Sequence, residues 1–89
     1  MIIENITIVN KLGLHARAAS KLVNCASQFE SEVFITRKGN RVNAKSIMGV
    51  MMLAASKGAE LELEVEGNDE QACRDEIVEL IKDRFGETE

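Results

Sequence analysis

Between Glu60 and Glu66 the chain alternates without a break, with Leu61, Leu63 and Val65 on one phase and Glu60, Glu62, Glu64 and Glu66 on the other. A period of two belongs to an extended strand, whose successive side chains point to opposite faces. One face of this strand must be buried and the other must meet water. It therefore fits an antiparallel sheet covered on one side only, with the glutamate row on the open side. The rest of the chain has to supply that sheet and its single cover.

Three further stretches read as strands. Ile2 to Val9 has Ile2, Ile6 and Ile8 on one phase, with Glu4 as an exception within it. Glu32 to Thr36 and Arg41 to Ala44 flank Lys38-Gly39-Asn40, a turn that joins them as a hairpin. The cover comes from three segments of helical period. From Ala16 onward, Ala19, Leu22, Val23, Ala26 and Phe29 fall on one face, with Lys21, Asn24 and Gln28 opposite. The apolar run Ile47 to Ala55 is too long and too rich in Met and Ala for a strand, and predicts a short helix ending at Gly58. Asn68 or Asp69 opens a last helix with the stripe Cys73, Ile77, Leu80, Ile81 and Phe85. The order is βαββαβα, an α+β chain of two layers, mostly antiparallel, with its helices on one face.

Length and charge narrow the function. Eighty-nine residues make one domain, expected to span 1–89 with a single core. A net charge of −4 and the absence of Trp and Tyr argue against a nucleic-acid surface. No run approaches the roughly 20 apolar residues a membrane span needs, and Met1 to Val9 lacks the features of a secretory signal. Cys25 and Cys73 are far apart, with no CxxC and no neighbouring His. They read as reduced thiols on helix faces, not zinc ligands. A cytoplasmic protein without metal is the expectation.

The only histidine, His15, stands in Gly13-Leu14-His15-Ala16-Arg17, where the strand-like pattern gives way to the first helix. A helix start presents free N–H groups and a positive dipole end, and so favours phosphate. Neutral imidazole is a good nucleophile near neutral pH, and an N-phosphoryl bond is labile enough to pass its group onward. The N–H groups of Ala16 and Arg17 are placed to bind phosphoryl oxygens, and the Arg17 guanidinium to add a charge-assisted contact. Position alone also allows an ordinary surface histidine.

Two segments together carry a resemblance. Gly13-Leu14-His15-Ala16-Arg17-Ala18-Ala19-Ser20, and about thirty residues later Lys45-Ser46-Ile47-Met48-Gly49-Val50-Met51-Met52-Leu53, resemble HPr. This is the histidine-containing phosphocarrier family of the bacterial phosphoenolpyruvate-dependent sugar phosphotransferase system. The likeness extends over nearly the whole chain, including the Gly67-Asn68-Asp69-Glu70 turn. It implies an open-faced β-sandwich with strand order 1-4-2-3. It also implies a carrier with no cofactor and no substrate chemistry of its own. Enzyme I would phosphorylate His15 at Nδ1, and the group would pass to a histidine of an enzyme IIA domain. A monomer is expected. One departure is Ala18, where the family usually has proline. Proline fixes the backbone of a first helical turn, so alanine bears on the rigidity of the loop and on partner fit.

Ser46, just before a helical run, is first of all a good N-cap. The matching serine of the family is in many bacteria the target of an ATP-dependent HPr kinase/phosphorylase, which makes Ser46 a candidate regulatory site as well. Ile47, Met48, Val50, Met51 and Met52 cannot all point inward from two turns. Either the core there is crowded, or the helix presents an adaptable patch suited to several partners. Ile47, Met48 and Met51 match the family's contact positions. Arg17, Ser20, Lys21 and Asn24, on the outer side of the first helix, are candidates for a polar rim. An alternative function is a regulatory binding protein that uses Ser46 and the Met-rich helix to dock on transcriptional regulators, in carbon or nitrogen control without sugar transport. The presence of His15 beside Arg17 argues for transfer.

Overall fold

The structure, a computed structural model, describes residues 1–89. Its strands are β1 (Ile2–Thr7), β2 (Glu32–Arg37), β3 (Asn40–Asn43) and β4 (Glu60–Glu66). Its helices are α1 (Ala16–Ser27), α2 (Ile47–Met52) and α3 (Glu70–Lys82), followed by a 3-10 turn at Arg84–Gly86. The sheet order is β1-β4-β2-β3, and every pairing is antiparallel.

The acidic strand lies at the centre of this arrangement. Leu63 pairs with Glu4 on one side and Ile35 on the other, and Val65 with Ile2 and Val33. Leu61, Leu63 and Val65 are buried with Ile6, Ile8, Val33 and Ile35 beneath Leu22 and Ala26 of α1, Val50 of α2 and Ile77 and Ile81 of α3. Each of the Leu, Ile and Val side chains contributes about 1.5–3 kcal/mol by leaving water. On the opposite face Glu60, Glu62 and Glu66 are exposed. Glu64 instead accepts from Arg41, whose guanidinium also sits 3.7 Å over the Phe34 ring. The exception in the first strand also has a cause. Glu4 lies on the inner phase of an edge strand, and Arg74 of α3 donates to its carboxylate at 2.7 Å.

Several boundaries move from the sequence expectation. β1 stops at Thr7 rather than Val9, although Ile8 still exchanges main-chain bonds with Gly58 and Ala59. The hairpin turn has two residues, Lys38 and Gly39, both at positive φ, so β3 covers 40–43 rather than 41–44. That geometry suits the twist of the flanking strands. α2 ends at Met52, well short of Gly58, because Ala54 takes a left-handed conformation (φ 49). The chain then turns so that Ala55 is buried and its carbonyl accepts from Leu14. Phe85 is fully buried, as its place in the stripe requires, but it lies beyond the end of α3. Asp69 precedes α3 as expected, yet its side chain makes no cap bond to that helix.

Candidate functional site

His15 is the N-cap of α1, extended at φ −73 and ψ 176. The loop that delivers it is held by the segment after α2. Leu14 donates its N–H to the Ala55 carbonyl at 2.8 Å and buries its side chain. Gly13 (φ +68) passes so close that a Cβ there would collide with the Ala55 oxygen and lie 2.7 Å from Ser56 Cα. Only glycine meets both conditions.

The two nitrogens of the imidazole have different partners. Nδ1 accepts from the Arg17 N–H at 3.2 Å, one of the unpaired donors of the helix start. Nε2 is in contact with the Glu87 carboxylate. Both contacts are satisfied by one neutral tautomer, in which Nε2 carries the proton and Nδ1 the lone pair. Glu87 is also bound by Asn10, whose buried side-chain amide donates to Glu87 Oε1 at 3.0 Å and to the Gly13 carbonyl at 2.9 Å. Those bonds from Asn10 and His15, with Arg17 nearby, hold the Glu87 carboxyl below the usual carboxylate range.

A cleft of about 340 Å³, lined by Lys11, Leu12, His15, Arg17 and residues 87–89, opens on this ring. The His15 side chain keeps 26% of its surface accessible. Arg17 is exposed on the cleft wall, and its guanidinium is engaged by no carboxylate. A nucleophilic nitrogen, the Arg17 N–H that now donates to it and an unpaired cation thus converge on one open pocket. That set is suited to a small dianion such as a phosphoryl group.

The other predicted residues divide. Ser46 is exposed and caps α2, its hydroxyl accepting from the Gly49 N–H at 3.2 Å. Within α2 only Val50 is buried, whereas Met48 is 73% and Met52 76% exposed. Ile47 and Met51 are also on the surface, which resolves the crowding in favour of an exposed patch. Asn24 is exposed, Ser20 is half-buried, and Lys21 is tied by its Nζ to the Phe85 carbonyl at 2.6 Å. Lys21, though exposed, therefore also anchors the turn after α3. Both cysteines are free thiols, and burial pushes Cys73 up to about 11. Sequence reasoning missed Asn10 and Glu87. A polar residue in a connector and an acid after the last helix carry no local signal of a shared partner more than seventy residues away.

A small open-faced α+β sandwich that presents a helix-capping histidine to an anion-suited cleft is the architecture of a phosphocarrier. The family model described as "PTS HPr component phosphorylation site" matches residues 2–83. The phosphocarrier protein HPr of Neisseria meningitidis serogroup A is 54% identical over 89 residues, covering 100% of both chains. The crystal structure of HPr from Thermoanaerobacter tengcongensis superposes with a TM-score of 0.96 at 44% identity, again over 100% of both chains. An HPr dimer from the same organism matches with a TM-score of 0.79 at 46% identity, covering 92% of this chain and 94% of that one. The chain belongs to the HPr family of the phosphotransferase system.

Proposed function

We propose that His15 accepts a phosphoryl group at Nδ1 from phosphorylated enzyme I and passes it to a histidine of an enzyme IIA domain. The observation that carries this reading is the Nδ1 lone pair facing the Arg17 N–H beside an open cleft. Attack by Nδ1 places the new phosphoryl oxygens against the N–H groups of Ala16 and Arg17, with the guanidinium of Arg17 adding charge. The exposed Ile47, Met48 and Met51 supply the apolar part of a docking surface on α2, which packs against α1. The protein acts as a monomer in the cytoplasm, without a cofactor of its own.

Ser46 is a second modification site in this reading. Its hydroxyl is exposed, and a phosphate added there by an HPr kinase/phosphorylase places negative charge beside the Met patch and weakens docking. Incubation with enzyme I and radiolabelled phosphoenolpyruvate tests the main claim. Acid-labile label that is lost in His15→Ala is the expected result, and label retained by that variant would refute the assignment. ATP with the cognate kinase should add acid-stable label at Ser46 alone.

A further inference from the structure

Three features outside the two sequence motifs converge on the back of the His15 ring. The first is a run of left-handed backbone after α3: Arg84 (φ 56), Phe85 (φ 55) and Gly86 (φ 78). Two of these are not glycine, and each non-glycine residue held there costs about 1 kcal/mol or more. Burial of Phe85 and the bond from Lys21 to its carbonyl hold the turn. Its result is to reverse the chain and bring the following residues back to the first loop, where the Lys11 N–H donates to the Glu89 carbonyl at 2.9 Å.

The second feature is Asn10. It is fully buried, its amide is divided between Gly13 and Glu87, and its own Oδ1 has no partner. A buried unsatisfied oxygen costs about 1–3 kcal/mol, so an apolar side chain would serve packing better. The third is Glu87 itself. Its two carboxylate oxygens are divided, Oε1 held by Asn10 and Oε2 against His15 Nε2.

We propose that Glu87 is a positioning residue for phosphoryl transfer, anchored by Asn10 and holding the Nε2 proton of His15 so that Nδ1 is presented as the nucleophile. The proposal rests on the phosphocarrier reading above. When a phosphohistidine donor arrives, the Nδ1 lone pair gives up the Arg17 N–H, which is then free to meet a phosphoryl oxygen, and forms the new N–P bond. The donor's N–P bond breaks, and its electron pair returns to the donor ring. The positive charge gained by the His15 ring lies against the Glu87 carboxylate, with the Nε2 proton still between them. On delivery the N–P electron pair returns to a ring that never lost that proton, so His15 leaves as neutral imidazole. No proton has to be taken up or released at either step.

The test compares wild type with Glu87→Gln and Asn10→Ala. Glutamine keeps size and hydrogen bonding but removes the charge. In the unphosphorylated protein, NMR should detect a slowly exchanging His15 Nε2–H proton that is lost or shifted upfield in Glu87→Gln. The rate of transfer from phosphorylated enzyme I should fall at least about tenfold, the lower end of what loss of an orienting partner costs a functional histidine. Asn10→Ala should fall between the two in both measurements. A Glu87→Gln protein that transfers at the wild-type rate, or keeps the same Nε2–H signal, overturns the proposal while leaving the carrier reading intact. Wild-type protein that takes no label at His15 overturns both.

Discussion

Asp69 stands at the threshold of α3 but serves Ser31, from which its Oδ1 accepts both the N–H, at 3.0 Å, and the hydroxyl, while Oδ2 takes the Glu30 N–H at 2.9 Å. The carboxylate therefore ties the start of α3 to the entry of β2. The Ser31 hydroxyl, followed by the Glu30 N–H, holds its pKa below the ordinary value. A carboxyl depressed in the folded state stabilises the fold above its unfolded pKa and loses that contribution as pH falls through the folded value. Acid titration of the urea midpoint should thus show a limb below the usual carboxylate range. Asp69→Asn should flatten that limb and lower the midpoint at neutral pH.

Phe85 fills the core from outside any regular helix. Phe85→Ala should cost about 3–5 kcal/mol by urea denaturation, the range for emptying an aromatic site in a packed interior. It should also release the turn that brings Glu87 to His15.

Gly13 combines a positive φ with close approach of the Ala55 and Ser56 backbone. Gly13→Ala should lower stability by more than about 1 kcal/mol, because the loop must move and the left-handed angle disfavours a side chain. Thermal melts would measure this, and phosphoryl acceptance should fall alongside.

Arg17 reaches no carboxylate, and its side chain is exposed. Arg17→Ala should leave the melting temperature unchanged and slow phosphoryl acceptance by about a hundredfold, the scale of losing one donor to a developing anion. Equal rates in the two proteins would remove Arg17 from the site.

Met48 is exposed on α2, where burial plays no part in folding. Met48→Glu should change stability by no more than about 0.5 kcal/mol. It should weaken binding to an enzyme IIA domain, as measured by calorimetry, at least about tenfold if Met48 is an anchor of that surface.

What could be read from the chain follows the range of the forces involved. The alternation at 60–66 placed a one-sided strand because side-chain period is a local property, and β4 has that register. The helix start at His15 and the cap at Ser46 were legible for the same reason, since each bond spans two or three residues. The end of α2 was not. Its apolar run continues past Met52, and only packing of Ala55 against the Leu14 loop turns the chain at Ala54. Glu4 looked like an error in the pattern until Arg74 arrived from α3. The bond from Lys21 to the Phe85 carbonyl was not legible, because that acceptor lies 64 positions on. Strand order 1-4-2-3 came from family likeness, not from pattern.

The imidazole and the carboxylate behind it are separated by 72 positions, with the last helix between them. A partly folded chain can expose the ring, but it leaves Nε2 without its acceptor. Closing so long a loop is entropically costly and is repaid only once the sheet and its helices have condensed. Pairing of the ring with its carboxylate is thus tied to assembly of the sheet and all three helices.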